Sequence, residues 1–133
     1  MPNGITALEA GTMTDKELLE LAAKAAGYTL EDHHDINGEY WPWCIEEGEY
    51  WCPLTDDGDA LRLAVKLDLA VVPLGDPRRR LLDQHGAQPS LTLVTWGIGA
   101  TKQKTEELHN DDPYAATRRA IVRAAAEIAR NMG

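Results

Sequence analysis

Chemistry-bearing side chains concentrate in one stretch, GEYWPWCIEEGEYWCP, residues 38 to 53. It holds three of the four tryptophans, both cysteines and four acids, and no base. His33-His34 stand just upstream, between Asp32 and Asp35. Three chemistries use such residues. The first is a metal centre, since His33, His34, Cys44 and Cys52 fall within 20 residues. Structural zinc sites space their thiols two to four residues apart; here seven residues intervene, and adjacent histidines on a strand point to opposite faces. The spacing therefore assigns no metal, and the cysteines read as small buried apolar residues. The second is nucleophilic catalysis. No G-x-S-x-G occurs and no elbow of small residues surrounds either Cys. His85, beside Gly86, and His109, in a polar segment, are expected in solvent. The sequence assigns no catalytic residue and no cofactor. The third is phosphate binding. Gly97-Ile98-Gly99-Ala100-Thr101-Lys102 follows an apolar run but lacks the G-x₄-G-K-[ST] spacing, so it is read as a flexible strand exit. Arg78-Arg79-Arg80 could grip a phosphate in bidentate fashion, and more simply balances surface acids.

What remains is recognition by aromatic rings and charge. Tyr40, Trp41, Trp43, Tyr50 and Trp51 could stack on a planar ligand. The chain has no Phe, so some of these rings must fill the core. The tetrad Gly38-Glu39-Tyr40-Trp41 returns as Gly48-Glu49-Tyr50-Trp51, which suggests two hairpin arms with one aromatic of each pair inward and one outward. Trp43 and Trp51 are expected in the core; Tyr40 and Trp41 stand evenly between core and site. The net charge is −9, and between Lys24 and Arg62 there are ten acids and no Lys or Arg. Such a chain is repelled by phosphate backbones and anionic membranes, which argues against direct nucleic-acid or membrane binding. Glu46, Glu47, Glu49, Asp56 and Asp57 would then form an acidic surface that competes for a basic partner. Should the rings meet Arg78, Arg79, Arg80 or the arginines of the last helix, the product would be a pocket for a planar anion.

The elements that position these groups follow from caps and periods. The 133 residues make one domain by length, with 1–13 a loose leader and 14–133 the folded part. Thr14-Asp15-Lys16-Glu17 is a capping box, and apolar residues at 18, 21, 22 and 25 carry a helix from about 15 to 26, where Gly27 ends it. Residues 28–53 read as an irregular hairpin with an Asn37-Gly38 turn, in which Trp41, Trp43 and Ile45 share a face and Pro42 forbids a central ladder position. Thr55 is the expected N-cap of a second helix, acidic in its first turn and the most buried of the molecule. Residues 69–73 form a short strand ended by Pro73, and 75–77 a turn. Residues 78–84 could be strand or helical turn, and 91–96 are the best strand. Residues 101–111 are expected to be a mobile loop. The last helix has Asp112 as its cap and Pro113 at its first position, with a stripe of Tyr114, Ile121, Ala125, Ile128 and Met132 and an Arg123–Glu127 pair. Its alanines point to a second packing partner, hence to a homo-oligomer. No apolar run is long enough to span a membrane and the N-terminus does not read as a signal peptide, so a cytoplasmic protein is expected.

Residues 51–67, WCPLTDDGDALRLAVKL, and 112–128, DPYAATRRAIVRAAAEI, resemble blocks of the phage and prophage αβα (ABA) sandwich domain family of small proteins. The resemblance spans 14–131; residues 68–111 do not take part in it. It implies a three-layer α/β fold and a temperate-phage origin, with no agreed activity. Taken together, the sequence gives an α/β (α+β) domain of about three helices around a small, mostly antiparallel sheet. The leading functional reading is a non-enzymatic phage accessory protein acting by binding in counter-defence, its acidic surface docking a basic, nucleic-acid-binding host protein. The alternatives are sequestration of a small nucleotide signal by the Trp, Tyr and Arg groups, and a structural or assembly role in the phage particle.

Overall fold

A computed structural model of the chain describes residues 13–75 and 90–132. It has three helices and two small antiparallel sheets of three strands each, the α+β class expected and consistent with a small αβα sandwich. The strands divide between two sheets because the sequence supplies them in two runs, one on each side of the second helix. The leader and residues 76–89, Arg78, Arg79, Arg80 and His85 among them, lie outside the described residues.

Helix α1, Asp15–Ala26, starts at the Thr14 box: the Thr14 hydroxyl accepts from the Glu17 amide, and Glu17 accepts from the Thr14 amide. Gly27 closes it at φ 79°. Strands β1 (Leu30–His34), β2 (Tyr40–Cys44) and β3 (Glu49–Tyr50) then pair in the order β1-β2-β3. Pro42 thus sits in the central strand, against expectation. The reason is geometric. Its nitrogen and carbonyl both face the β3 side, so its pairing with β1 loses nothing. On the other side its carbonyl accepts from Trp51 at 2.9 Å. The reciprocal donor does not exist, and the β2–β3 ladder stops there after the pairs Trp43–Tyr50 and Cys44–Glu49.

Helix α2, Asp57–Lys66, is capped by Asp56 rather than Thr55; the Asp56 carboxylate accepts from the Asp59 amide at 2.7 Å. It is not the most buried helix, since Leu61 and Val65 are 64% and 69% exposed. That place belongs to α3, Pro113–Arg130, whose buried residues include six alanines. Side chains this small let α3 pack on α1 and α2 and also on the second sheet. The alanines that suggested another chain are therefore covered within this one. The stripe frays at its ends, where Tyr114 and Met132 are exposed. Asp112 caps α3 through the Tyr114 and Ala115 amides.

Strands β4 (Ala70–Leu74), β5 (Leu91–Trp96) and β6 (Gln103–Leu108) form the second sheet in that order. Pro73 lies inside β4, which an edge strand tolerates. The expected loop at 101–111 is largely β6. Thr105 is its one buried residue, donating to the Ala120 carbonyl at 3.0 Å, and Lys104, Glu106 and Glu107 put charges along it, as suits an exposed edge. The strand exit at Gly97–Thr101 includes a short 3-10 turn, Gly99–Thr101. At Gly97, φ is 88° and a Cβ would meet the Thr101 carbonyl oxygen at 2.7 Å, so only glycine fits. Among the described residues no helix is long and apolar enough to cross a membrane.

Candidate functional site

The register of the first sheet decides which rings are offered. In an antiparallel pair, opposite residues share a face. Leu30, Asp32 and His34 stand opposite Cys44, Pro42 and Tyr40 on the core side; Glu31 and His33 stand opposite Trp43 and Trp41 on the other. Tyr50 joins the outer set as the partner of Trp43. The two tetrads therefore present opposite faces. Tyr40 packs on the core and Trp41 points out, whereas Trp51 is buried, at 4% exposure, and Tyr50 points out. The flip arises because the four-residue turn 45–48 pairs position 44 with 49, so the second tetrad meets the first out of phase. Trp51 fills the core as expected, with its ring set edge-on to Tyr28 at 5.6 Å. Trp43 does not: it faces outward.

The result is a contiguous aromatic face. His33 stacks parallel to Trp43 at 5.6 Å and 9°. Tyr50 stands nearly perpendicular to Trp43 at 5.0 Å, and edge-on to His33 and Trp41 at 5.8 and 6.3 Å. Each ring is braced by another, so the group is held open at little further cost in side-chain entropy. Asp35 anchors one end. Its carboxylate accepts from the Asn37 and Glu39 amides and from the Trp41 indole at 3.2 Å. These bonds, the Glu39 amide foremost, hold the Asp35 carboxyl below the usual carboxylate range. Glu31, within 3.3 Å of the His33 imidazole, borders the other side.

The remaining acids divide into clasps and free charges. Glu46 takes the Thr29 amide and hydroxyl at 2.7 and 2.9 Å, which holds its carboxyl low and ties the β2–β3 turn to the start of β1. Glu47 accepts from the Tyr28 hydroxyl. Burial, and then Glu47, push the Tyr28 phenol up to about 12. Asp56 is the α2 cap, and Asp57 pairs with Arg118 at 2.7 Å. Asp59, expected only as an acid of the first turn of α2, is buried and accepts from the Cys52 amide and from Arg62. Glu49 is exposed in β3, but as the partner of Cys44 it stands on the opposite side of the sheet from Tyr50 and the outer rings. Tyr40 serves the core; its phenol lies near Asp32 without a hydrogen bond, and burial raises it to about 12.

No arginine of α3 reaches the rings. Arg118 and Arg119 pair with Asp57 and Asp15, Arg123 with Glu107 rather than Glu127, and Arg130 with Glu127. Among the described residues, the cations that approach rings are Lys16 over Tyr40 and Lys66 over Tyr28, both away from the outer set. His33 and His34 point to opposite faces, and among the described residues no group of three or more His, Cys, Asp or Glu comes together as a metal site. Cys44 and Cys52 are free thiols; burial raises both. His109 is not solvent-exposed. It is 6% exposed and bonded through Nε2 to the Thr92 hydroxyl at 2.8 Å, which in turn meets Thr117 at 2.6 Å. Sequence reasoning missed this buried polar chain because its three members are spread over 26 residues of two strands' ends and a helix. Comparison of the chain with family models, curated proteins and solved structures returns no match.

Proposed function

We propose that this chain acts by binding, with the outer face of the first sheet as its docking surface and a basic, nucleic-acid-binding protein as its partner. The observation that carries the reading is the company the rings keep: Trp41, Trp43 and Tyr50 share one face with Glu31 and Asp35, and no Lys or Arg among the described residues contacts these rings. Rings attract cations through their negative faces, and carboxylates at their margin add charge-assisted hydrogen bonds. An arginine-rich surface satisfies both, since guanidinium stacks and donates at once. The net charge of −9 steers such a partner in and repels the nucleic acid it would otherwise hold.

In this proposal the protein is a phage or prophage accessory protein of the αβα sandwich family acting inside the host cell, where occupying the nucleic-acid site of a defence protein would neutralise it. The alternative of a sequestered nucleotide is less well supported: it needs cations beside the rings, and those of α3 are spent elsewhere. The test is a titration with a purified arginine-rich DNA-binding domain at several salt concentrations. Binding should weaken steeply as ionic strength rises and fall roughly tenfold for Trp43→Ala, the loss expected of an aromatic anchor. Binding by nucleotides in place of the basic domain would overturn the reading.

A further inference from the structure

A second concave feature lies away from the aromatic face. A cleft of about 960 Å³ opens between α2, β4 and the beginning of α3, at the upper end of the size range that holds small organic ligands. Leu61, Val71 and Ile121 give it apolar walls. His109 and Thr117 also line it, linked to each other through the Thr92 hydroxyl.

The polar groups on the walls include unspent donors. The Arg118 guanidinium gives Nε to the Leu54 carbonyl at 2.8 Å and Nη1 to Asp57 at 2.7 Å, which leaves Nη2 without a partner among the described residues. The Asn110 amide and the Tyr114 hydroxyl also line the cleft and bond no described side chain. Asp57, the one carboxylate on the wall among the described residues, pairs with Arg118 through Oδ1. The start of α3 is not the anion-holding element, because Asp112 takes its Tyr114 and Ala115 amides. A site with apolar walls and donor-rich polar edges is matched by a ligand with an apolar body and an acceptor head.

We propose that this cleft binds a small organic carboxylate, its apolar body against Leu61, Val71 and Ile121 and its carboxylate on the free Nη2 edge of Arg118. This binding does not depend on the aromatic face.

The test titrates the full chain with decanoate and with decylammonium, two amphiphiles of equal chain length and opposite charge, below the concentrations at which either forms micelles. Calorimetry gives affinity, and side-chain NMR gives the place. Decanoate should bind about tenfold or more tightly than decylammonium, the ratio expected of one charge-assisted contact, and should shift the methyls of Leu61, Val71 and Ile121. Arg118→Met should abolish that preference. Leu61→Trp, at a position already exposed, should obstruct the cleft and weaken decanoate about tenfold without touching Arg118. Trp41→Ala should leave decanoate binding unchanged, which separates this site from the docking face. The proposal is overturned if neither amphiphile binds, if decylammonium binds equally well, or if decanoate binding survives Leu61→Trp; the last two readings stand even if Arg118→Met does not fold.

Discussion

The twin tetrads make opposite demands on their tryptophans, and that difference is measurable. Trp51 is 4% exposed and set in the core between α1 and the first sheet. Burying about 200 Å² of indole at roughly 25 cal/mol/Å² is worth about 5 kcal/mol as an upper bound. Alanine keeps part of that and leaves a cavity, so Trp51→Ala should cost about 3–5 kcal/mol. Trp41 is 37% exposed, and its losses are an edge contact to Tyr50 and the indole bond to Asp35. Trp41→Ala should cost roughly 1–1.5 kcal/mol. The assay is urea unfolding followed by far-UV circular dichroism. With a slope of about 1–3 kcal/mol/M, Trp51→Ala should lower the midpoint by well over ~1 M and Trp41→Ala by less than half as much. Equal shifts for the two variants, or a larger one for Trp41→Ala, would refute the assignment of faces on which the docking surface rests.

Other outcomes follow from the same contacts. Thr92→Val removes the hydroxyl that joins His109 to Thr117 and should cost about 1–3 kcal/mol in the same urea assay, because a buried imidazole and a half-buried hydroxyl lose a partner. Thr14→Ala removes the hydroxyl that accepts from the Glu17 amide while keeping the backbone donor to the Glu17 carboxylate, and should cost about 1 kcal/mol. Asp32, Asp35 and Glu46 all have folded pKa values below their unfolded ones, through Lys16, the Glu39 amide and the Thr29 amide respectively. Their contribution is therefore complete above the unfolded values near ~4 and is lost as pH falls through the folded ones; the urea midpoint should decline on acidification below about pH 5, and a midpoint that rises there would contradict this. Tyr28 and Tyr40 have the reverse sign: raised to about 12, they stabilise the fold below pH ~10 and cease to as pH climbs through the folded values. Tyrosinate absorbance should show Tyr28 and Tyr40 ionising late, and loss of that late absorbance change in neither Tyr28→Phe nor Tyr40→Phe would contradict it.

Local signals were legible where one cap or one period settled an element. Thr14 with Glu17, Asp112 with Pro113, and the β-branched run 91–96 gave α1, the start of α3 and β5 directly. What stayed hidden depended on parity and on long-range pairing. Whether Trp43 or Trp51 faces the core turns on the length of the 45–48 turn, which a strand pattern does not display. β6 escaped notice because an edge strand with a single fully buried residue carries almost no apolar alternation. The burial of α2 was overstated because Leu61 and Val65 look like core residues in sequence, yet they lie on the side of the helix that α3 leaves open. The acidic count was right and its meaning was mixed: Glu46, Glu47 and Asp56 are spent on holding turns and a helix end, which only partners such as Thr29, Tyr28 and the Asp59 amide reveal.

The central claim, that the outer aromatic face receives cationic groups, is tested most directly by the indole N–H signals of the four tryptophans during titration with an oligoarginine peptide. The account predicts that Trp41 and Trp43 shift together while Trp51 and Trp96 stay, that added salt reverses the shifts, and that an oligoglutamate peptide of equal length does nothing. Shifts absent from Trp41 and Trp43, or shared equally by Trp51 and Trp96, would contradict it.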